Sequence, residues 1–128
     1  MRVLVAEDNR HVLKMIEDIL MDAGHIPVLA SNGQEAWELL DRGEEFNLII
    51  SDYNMPEMTG VELLQRVREN ARTIDIPFVL ISGRVTISDA DPTLLENVCI
   101  NLDATFLPKP FPLPALLSML GVGVELCD

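Results

Sequence analysis

Four places in this sequence carry residue types that could do chemistry together: Glu7-Asp8, Ser51-Asp52, Ser82-Gly83 and Lys109-Pro110. Each closes or follows a short apolar run: Val3–Ala6, Phe46–Ser51, Phe78–Ser82 and Ala104–Leu107. Three carboxylates, a hydroxyl and one of the chain's two lysines are thereby candidates for one rim, the other lysine being Lys14 in a helical segment. Crowded carboxylates disfavour one another's charged forms unless a cation is present. Mg²⁺ (or Mn²⁺) answers that problem, because it takes oxygen ligands, keeps several waters and shares its site with phosphoryl groups. Taken singly, Asp8 reads as a helix cap and Asp52 as a turn residue. Their recurrence at successive strand ends points instead to a site.

The elements that must position these residues alternate strand and helix. After the first run, Val12, Leu13, Ile16, Leu20 and Ala23 recur at helical spacing and Gly24 stops them. A weaker strand spans 25–30. Ser31-Asn32 then offers a cap, with Gln34 and Glu35 ahead of Ala36, Leu39 and Leu40. Thr59-x-x-Glu62 is a capping box opening a helix whose inner face is Val61, Leu64 and Val67. Asp91-Pro92 sets a cap and a first-turn proline before Leu94, Leu95 and Val98, and Leu113 to Leu120 makes a short closing helix. Five βα units predict an α/β fold, a doubly wound parallel five-stranded sheet of the flavodoxin-like order 2-1-3-4-5. Pro27 lacks a backbone donor, which suits the second strand to an edge. Ligands in such folds bind beyond the carboxyl ends of the strands, where the first and third lie side by side.

Composition bounds the rest. With 128 residues, 48% of them apolar, the chain suits one domain with one sizeable core. We assign the domain to 1–120 and read 121–128 as a tail or the start of a linker. A net charge of −12 argues against binding nucleic acid or anionic membrane, since phosphates would be repelled. The opening residues lack a signal peptide's apolar stretch and no run is long enough to span a bilayer, which predicts a cytoplasmic protein. Cys99 and Cys127 have no metal or redox spacing, and His11 and His25 are isolated.

The blocks AEDN, SDYNMPEMTG, VLISG and FLPKPF, in that order and at strand ends, resemble the receiver domain of two-component response regulators over nearly the whole chain. The resemblance implies a phosphorylation switch rather than an enzyme. Asp52 matches the aspartate that accepts a phosphoryl group from a sensor histidine kinase or a histidine phosphotransfer domain. Glu7 and Asp8 match the acidic pair that holds Mg²⁺ with Asp52, and Asn54 the position whose backbone carbonyl also ligates it. Ser82 matches the hydroxyl, and Lys109 the ammonium, that contact the phosphoryl group. Phe106 matches the aromatic that moves inward when Ser82 shifts, altering a face of the fourth helix, fifth strand and fifth helix for an output domain or partner. Pro110 matches a cis-peptide position, and Arg84 one that influences dephosphorylation.

Departures from the family pattern sit late in the chain. GRVTISDA lengthens the stretch between Ser82 and Lys109, and Leu102 stands where a glycine usually precedes the fifth strand, leaving Asn101 to take a left-handed turn. A flavodoxin would need a Ser/Thr-rich phosphate loop in place of Glu7-Asp8-Asn9, and an aspartyl phosphohydrolase a DxD on the first strand. A non-phosphorylated pseudo-receiver serving as an interaction module, or a phosphate sink, remains the alternative to a signalling switch. The complete set Glu7, Asp8, Asp52, Ser82 and Lys109 weighs against the first.

Overall fold

A computed structural model of the chain describes residues 1–53, 55, 57–82, 100–102 and 104–108. Five parallel strands, β1 (Arg2–Ala6), β2 (Ile26–Ala30), β3 (Leu48–Asp52), β4 (Phe78–Ser82) and β5 (Thr105–Pro108), form one sheet in the order β2-β1-β3-β4-β5. That is the predicted flavodoxin-like order. β2 lies at an edge, and Pro27 stands there in register with Val3.

Strand periodicity divides the core into two layers. Alternate side chains of a strand face opposite sides, so Leu4, Ile49, Phe78 and Leu80 enter one cluster while Val3, Val5, Ile50, Val79 and Ile81 enter the other. Helices α2 (Gly33–Asp41) and α3 (Gly60–Glu69) cover the first layer with Ala36, Leu40, Leu63, Leu64 and Val67. Helix α1 (Arg10–Asp22) covers the second with Ile16 and Leu20. Both faces of β1, β3 and β4 are therefore dry, which is why these strands read as continuous apolar runs.

Local signals set the helix ends. Asn9 caps α1, its side chain accepting from the His11 and Val12 amides at 3.0 and 3.3 Å. Asn9, not Asp8, is thus the cap. At the other end Gly24 takes φ +85°, which lets its amide reach the Met21 carbonyl and the His25 amide reach Leu20. Thr59 and Glu62 close the capping box of α3 in both directions at 3.2 Å.

Other details differ from the sequence reading: β2 starts at Ile26 rather than at 25, and β5 runs Thr105–Pro108 rather than 104–107. β3 begins at Leu48 rather than Phe46 and runs one residue further, to Asp52; Phe46 is buried below the strand, with the Arg2 guanidinium 4.7 Å from its ring centre. Asn101 is helical and does not take a left-handed turn. An unforeseen clasp forms nearby: the Arg68 guanidinium donates to the carbonyls of Leu102 at 2.6 Å, Ile74 at 2.9 Å and Ile76 at 2.7 Å. It joins α3 to the residues just ahead of β5. The helix expected from Asp91-Pro92, the closing helix, the segment 83–90, the tail and both cysteines lie outside the described residues.

Candidate functional site

Glu7 and Asp8 leave the carboxyl end of β1, and Asp52 forms that of β3. Pairing of Ala6 with Ser51 puts the two strand ends side by side. The Glu7 amide donates to the Ala30 carbonyl at 3.1 Å, which fastens the start of this turn to the end of β2. The Glu7 carboxylate accepts from the Asn9 amide at 3.2 Å. Glu7 is buried, Asp52 is buried, and Asp8 stands exposed at the mouth. One carboxylate oxygen from each of the three lies within 4.8 Å of the others.

The Asp52 backbone is held from several directions. Its register partner on β4 is Ile81, whose carbonyl accepts from the Tyr53 amide at 2.7 Å. The Ser51 hydroxyl donates to the Asp52 carbonyl at 3.0 Å. Tyr53 in turn accepts from the Gly60 amide at 3.0 Å, which ties the strand end to the start of α3. Gly60 was not singled out from sequence as a functional position, yet a β-carbon there would lie 3.0 Å from the Asp52 carbonyl carbon and closer still to its oxygen. The signal available was its place directly after the Thr59 cap.

Two buried carboxylates beside a third are costly unless positive charge compensates them, because burial strips water from charges that also repel. The donor set fits a hard divalent cation. Opposite ligands of an octahedral Mg²⁺ stand about 4 Å apart, so oxygens this close need little rearrangement to share one ion. Soft or nitrogen-seeking metals find no partner type in this trio, which is all carboxylate.

The other expected site residues are placed by backbone or fall outside. Ser82 ends β4 one residue beyond Asp52's partner and pairs with Pro108, the last residue of β5. Phe106 lies in β5 opposite Leu80. The side chains of Ser82 and Phe106, and all of Asn54, Arg84, Lys109 and Pro110, lie outside what is described. A cleft of about 450 Å³ lined by Leu40, Phe46, Arg72 and Ile76 lies at the opposite, amino-terminal end of the strands, away from the carboxylates.

Comparison with known proteins agrees with this geometry. A family model described as the response regulator receiver domain matches residues 3–121. The chemotaxis protein CheY homolog of Campylobacter jejuni is 39% identical over 124 residues, covering 96% of this chain and 95% of that protein. Chemotaxis protein CheY1 of Helicobacter pylori is 39% identical over 126 residues, with 95% of each covered. Among solved structures, chemotaxis protein CheY4 of Vibrio cholerae superimposes with a TM-score of 0.79 at 30% identity, covering 94% of this chain and 95% of that one.

Proposed function

The chain belongs to the response regulator receiver domain family, and from that premise we propose that Asp52 is its phosphoacceptor, with Glu7 and Asp8 as the metal-holding pair. The observation that carries this is the convergence of Glu7, Asp8 and Asp52 within 4.8 Å at the carboxyl ends of two adjacent strands. The donor is a phosphohistidine of a sensor histidine kinase or a histidine phosphotransfer domain. An Asp52 carboxylate oxygen attacks phosphorus, the new O–P bond forms as the P–N bond breaks, and the leaving imidazole takes up a proton.

A carboxylate is a poor nucleophile toward a dianionic phosphoryl group, so the transfer rests on position and charge. Mg²⁺, when bound, neutralises charge between the carboxylates and the phosphoryl oxygens. The residues to hold it are Glu7, Asp8 and Asp52, with the Asn54 backbone carbonyl. In this reading the Lys109 ammonium and the Ser82 hydroxyl contact the phosphoryl oxygens, and Phe106 follows Ser82 inward. The acyl phosphate carries about two negative charges where the free carboxylate carried one, a net gain of roughly one together with new acceptor oxygens, at a site that was already acidic; that change biases a two-state surface. The partner or output domain would read that change on the face that the family resemblance assigns to the fourth helix, fifth strand and fifth helix.

The protein acts once per phosphoryl group and is a switch rather than a turnover enzyme. In this reading the domain spans 1–120, with 121–128 a tail or the start of a linker. Among the described residues no helix is long and apolar enough to cross a membrane; a cytoplasmic site of action belongs to the same proposal. Incubation with acetyl phosphate and Mg²⁺, read by intact mass, tests the assignment. Wild type gains one phosphoryl group and Asp52→Asn gains none; undiminished labelling of Asp52→Asn places the acceptor elsewhere. An unlabelled wild type favours the pseudo-receiver.

A further inference from the structure

Gly33 and Gly60 each open a helix, α2 and α3 respectively. Neither has a positive φ, so their backbones could be adopted by any residue. What each position lacks is room. A β-carbon on Gly33 would lie 2.6 Å from the Met58 carbonyl oxygen, 3.0 Å from Met58 Cβ and 3.1 Å from its Cγ. Met58 cannot swing aside cheaply, because it is 4% exposed and packs in the cluster that includes Ala30, Ala36 and Leu40. Its neighbour Glu57 already sits at φ 70°.

The stretch from Asp52 to Gly60 is therefore wedged at both ends. At one end α3 touches the Asp52 main chain through Gly60, and at the other α2 touches the Met58 main chain through Gly33. Neither wall is loose. Ala36 and Leu40 bury α2, and the end of β2 is fastened through the Ala30 carbonyl to the amide of Glu7, itself a member of the acidic trio. We propose that Gly33 is a positioning residue for phosphoryl transfer: its missing side chain sets how far the loop after Asp52 stands from the Glu7-Asp8 turn. This rests on the reading of Asp52 as phosphoacceptor. It adds a determinant in α2, remote in sequence from every residue assigned to the site.

A methyl group at position 33 pushes the loop by roughly 0.8 Å to bring the Met58 oxygen from 2.6 Å to ordinary contact at 3.4 Å. Displacements near 1 Å in sites that work by alignment cost up to about a hundredfold in rate. Alanine is otherwise a better helix former than glycine, so a purely local account of α2 expects a neutral or more stable protein.

The experiment measures the phosphorylation rate constant at saturating Mg²⁺ and acetyl phosphate, with urea midpoints alongside. Gly33→Ala is expected to slow labelling at least about tenfold. Ile16→Val, a mild truncation in the other core layer, lowers the midpoint and leaves the rate unchanged. A cycle with Met58→Gly closes the argument, since glycine at 58 removes two of the three contacts and frees the carbonyl to turn. Gly33→Ala then costs less in the Met58→Gly background than in wild type. Equal rates for Gly33→Ala and wild type overturn the proposal. So does slowing by Ile16→Val in proportion to lost stability, or a Gly33→Ala defect, including failure to fold, that Met58→Gly leaves untouched. An unlabelled wild type would instead overturn the phosphoacceptor reading itself.

Discussion

Replacing Asp8 by asparagine removes one negative charge from the mouth of the acidic site and keeps the side chain's size. In the folded protein the Asp8 carboxylate lies within 4.8 Å of those of Glu7 and Asp52. Two unit charges at that separation repel by about 1–2 kcal/mol at an effective dielectric of roughly 40–80, a range suited to a group that is itself exposed. Only part of this bears on folding. Asp8 stays beside Glu7 in the unfolded chain, whereas Asp52 is brought to it by the pairing of β1 with β3. The Asp8–Asp52 repulsion is therefore the part gained on folding, and its removal stabilises the metal-free protein by about 1–2 kcal/mol. Salt reduces the figure, since the Debye length is about 10 Å at 0.1 M. The assay is urea unfolding at neutral pH, followed by circular dichroism, in EDTA and in saturating MgCl₂. In EDTA the midpoint of Asp8→Asn rises by roughly half to one molar with the slope unchanged. In Mg²⁺ the order reverses, because wild type gains more from the bound ion than a variant lacking one ligand. A lower midpoint for Asp8→Asn in EDTA, or equal Mg²⁺-induced shifts in the two proteins, would refute the crowding argument.

Three further outcomes are expected. Gly60→Ala places a methyl 2.6 Å from Leu80 Cδ1 and against the Asp52 carbonyl, so acetyl phosphate labelling falls about a hundredfold; Thr59→Ala, which removes only the cap and costs about 1 kcal/mol, leaves the rate within a few-fold. Glu57 is exposed at φ 70°, so Glu57→Gly relieves left-handed strain and raises stability by about 0.5 kcal/mol, read as a higher thermal midpoint. Burial first, and the N-terminal ammonium 3.0 Å from its Nδ1 second, hold the His25 pKa below its ordinary 6.5. Below that value the unfolded chain takes a proton that the folded one refuses, so stability falls as pH drops from 6.5 toward the folded pKa. Urea midpoints at neutral and mildly acidic pH should show that fall in wild type and a smaller one in His25→Gln.

Much of this molecule is written in local pattern. The apolar runs around Val3–Ala6 and Phe78–Ser82, the Thr59–Glu62 box and Gly24 each act within a few residues, through side-chain alternation, end capping and a left-handed stop. They could be read directly, and they set the element order and with it the parallel sheet. Pro27 did the same for strand position, because a missing amide donor is an attribute of one residue. The acidic trio was legible for a related reason: parallel strands put all their carboxyl ends on one rim, so a carboxylate closing one run must approach a carboxylate closing the next.

What remained for the tertiary structure was contact between residues far apart in sequence. Asn9 and Asp8 are equally good caps on paper, and the choice of Asn9 is made by the turn that carries Glu7 into the core and leaves Asp8 outside. The start of β3 at Leu48 depends on where Phe46 meets Arg2. Arg68 reads as a surface cation at a helix end until the carbonyls of Ile74, Ile76 and Leu102 converge on it. Gly33 and Gly60 look like ordinary first-turn glycines, since nothing within a few residues requires them. Their requirement is for empty space beside another segment's backbone. Empty space is set jointly by two chain segments packed together, so it has no signature in either segment's own residues.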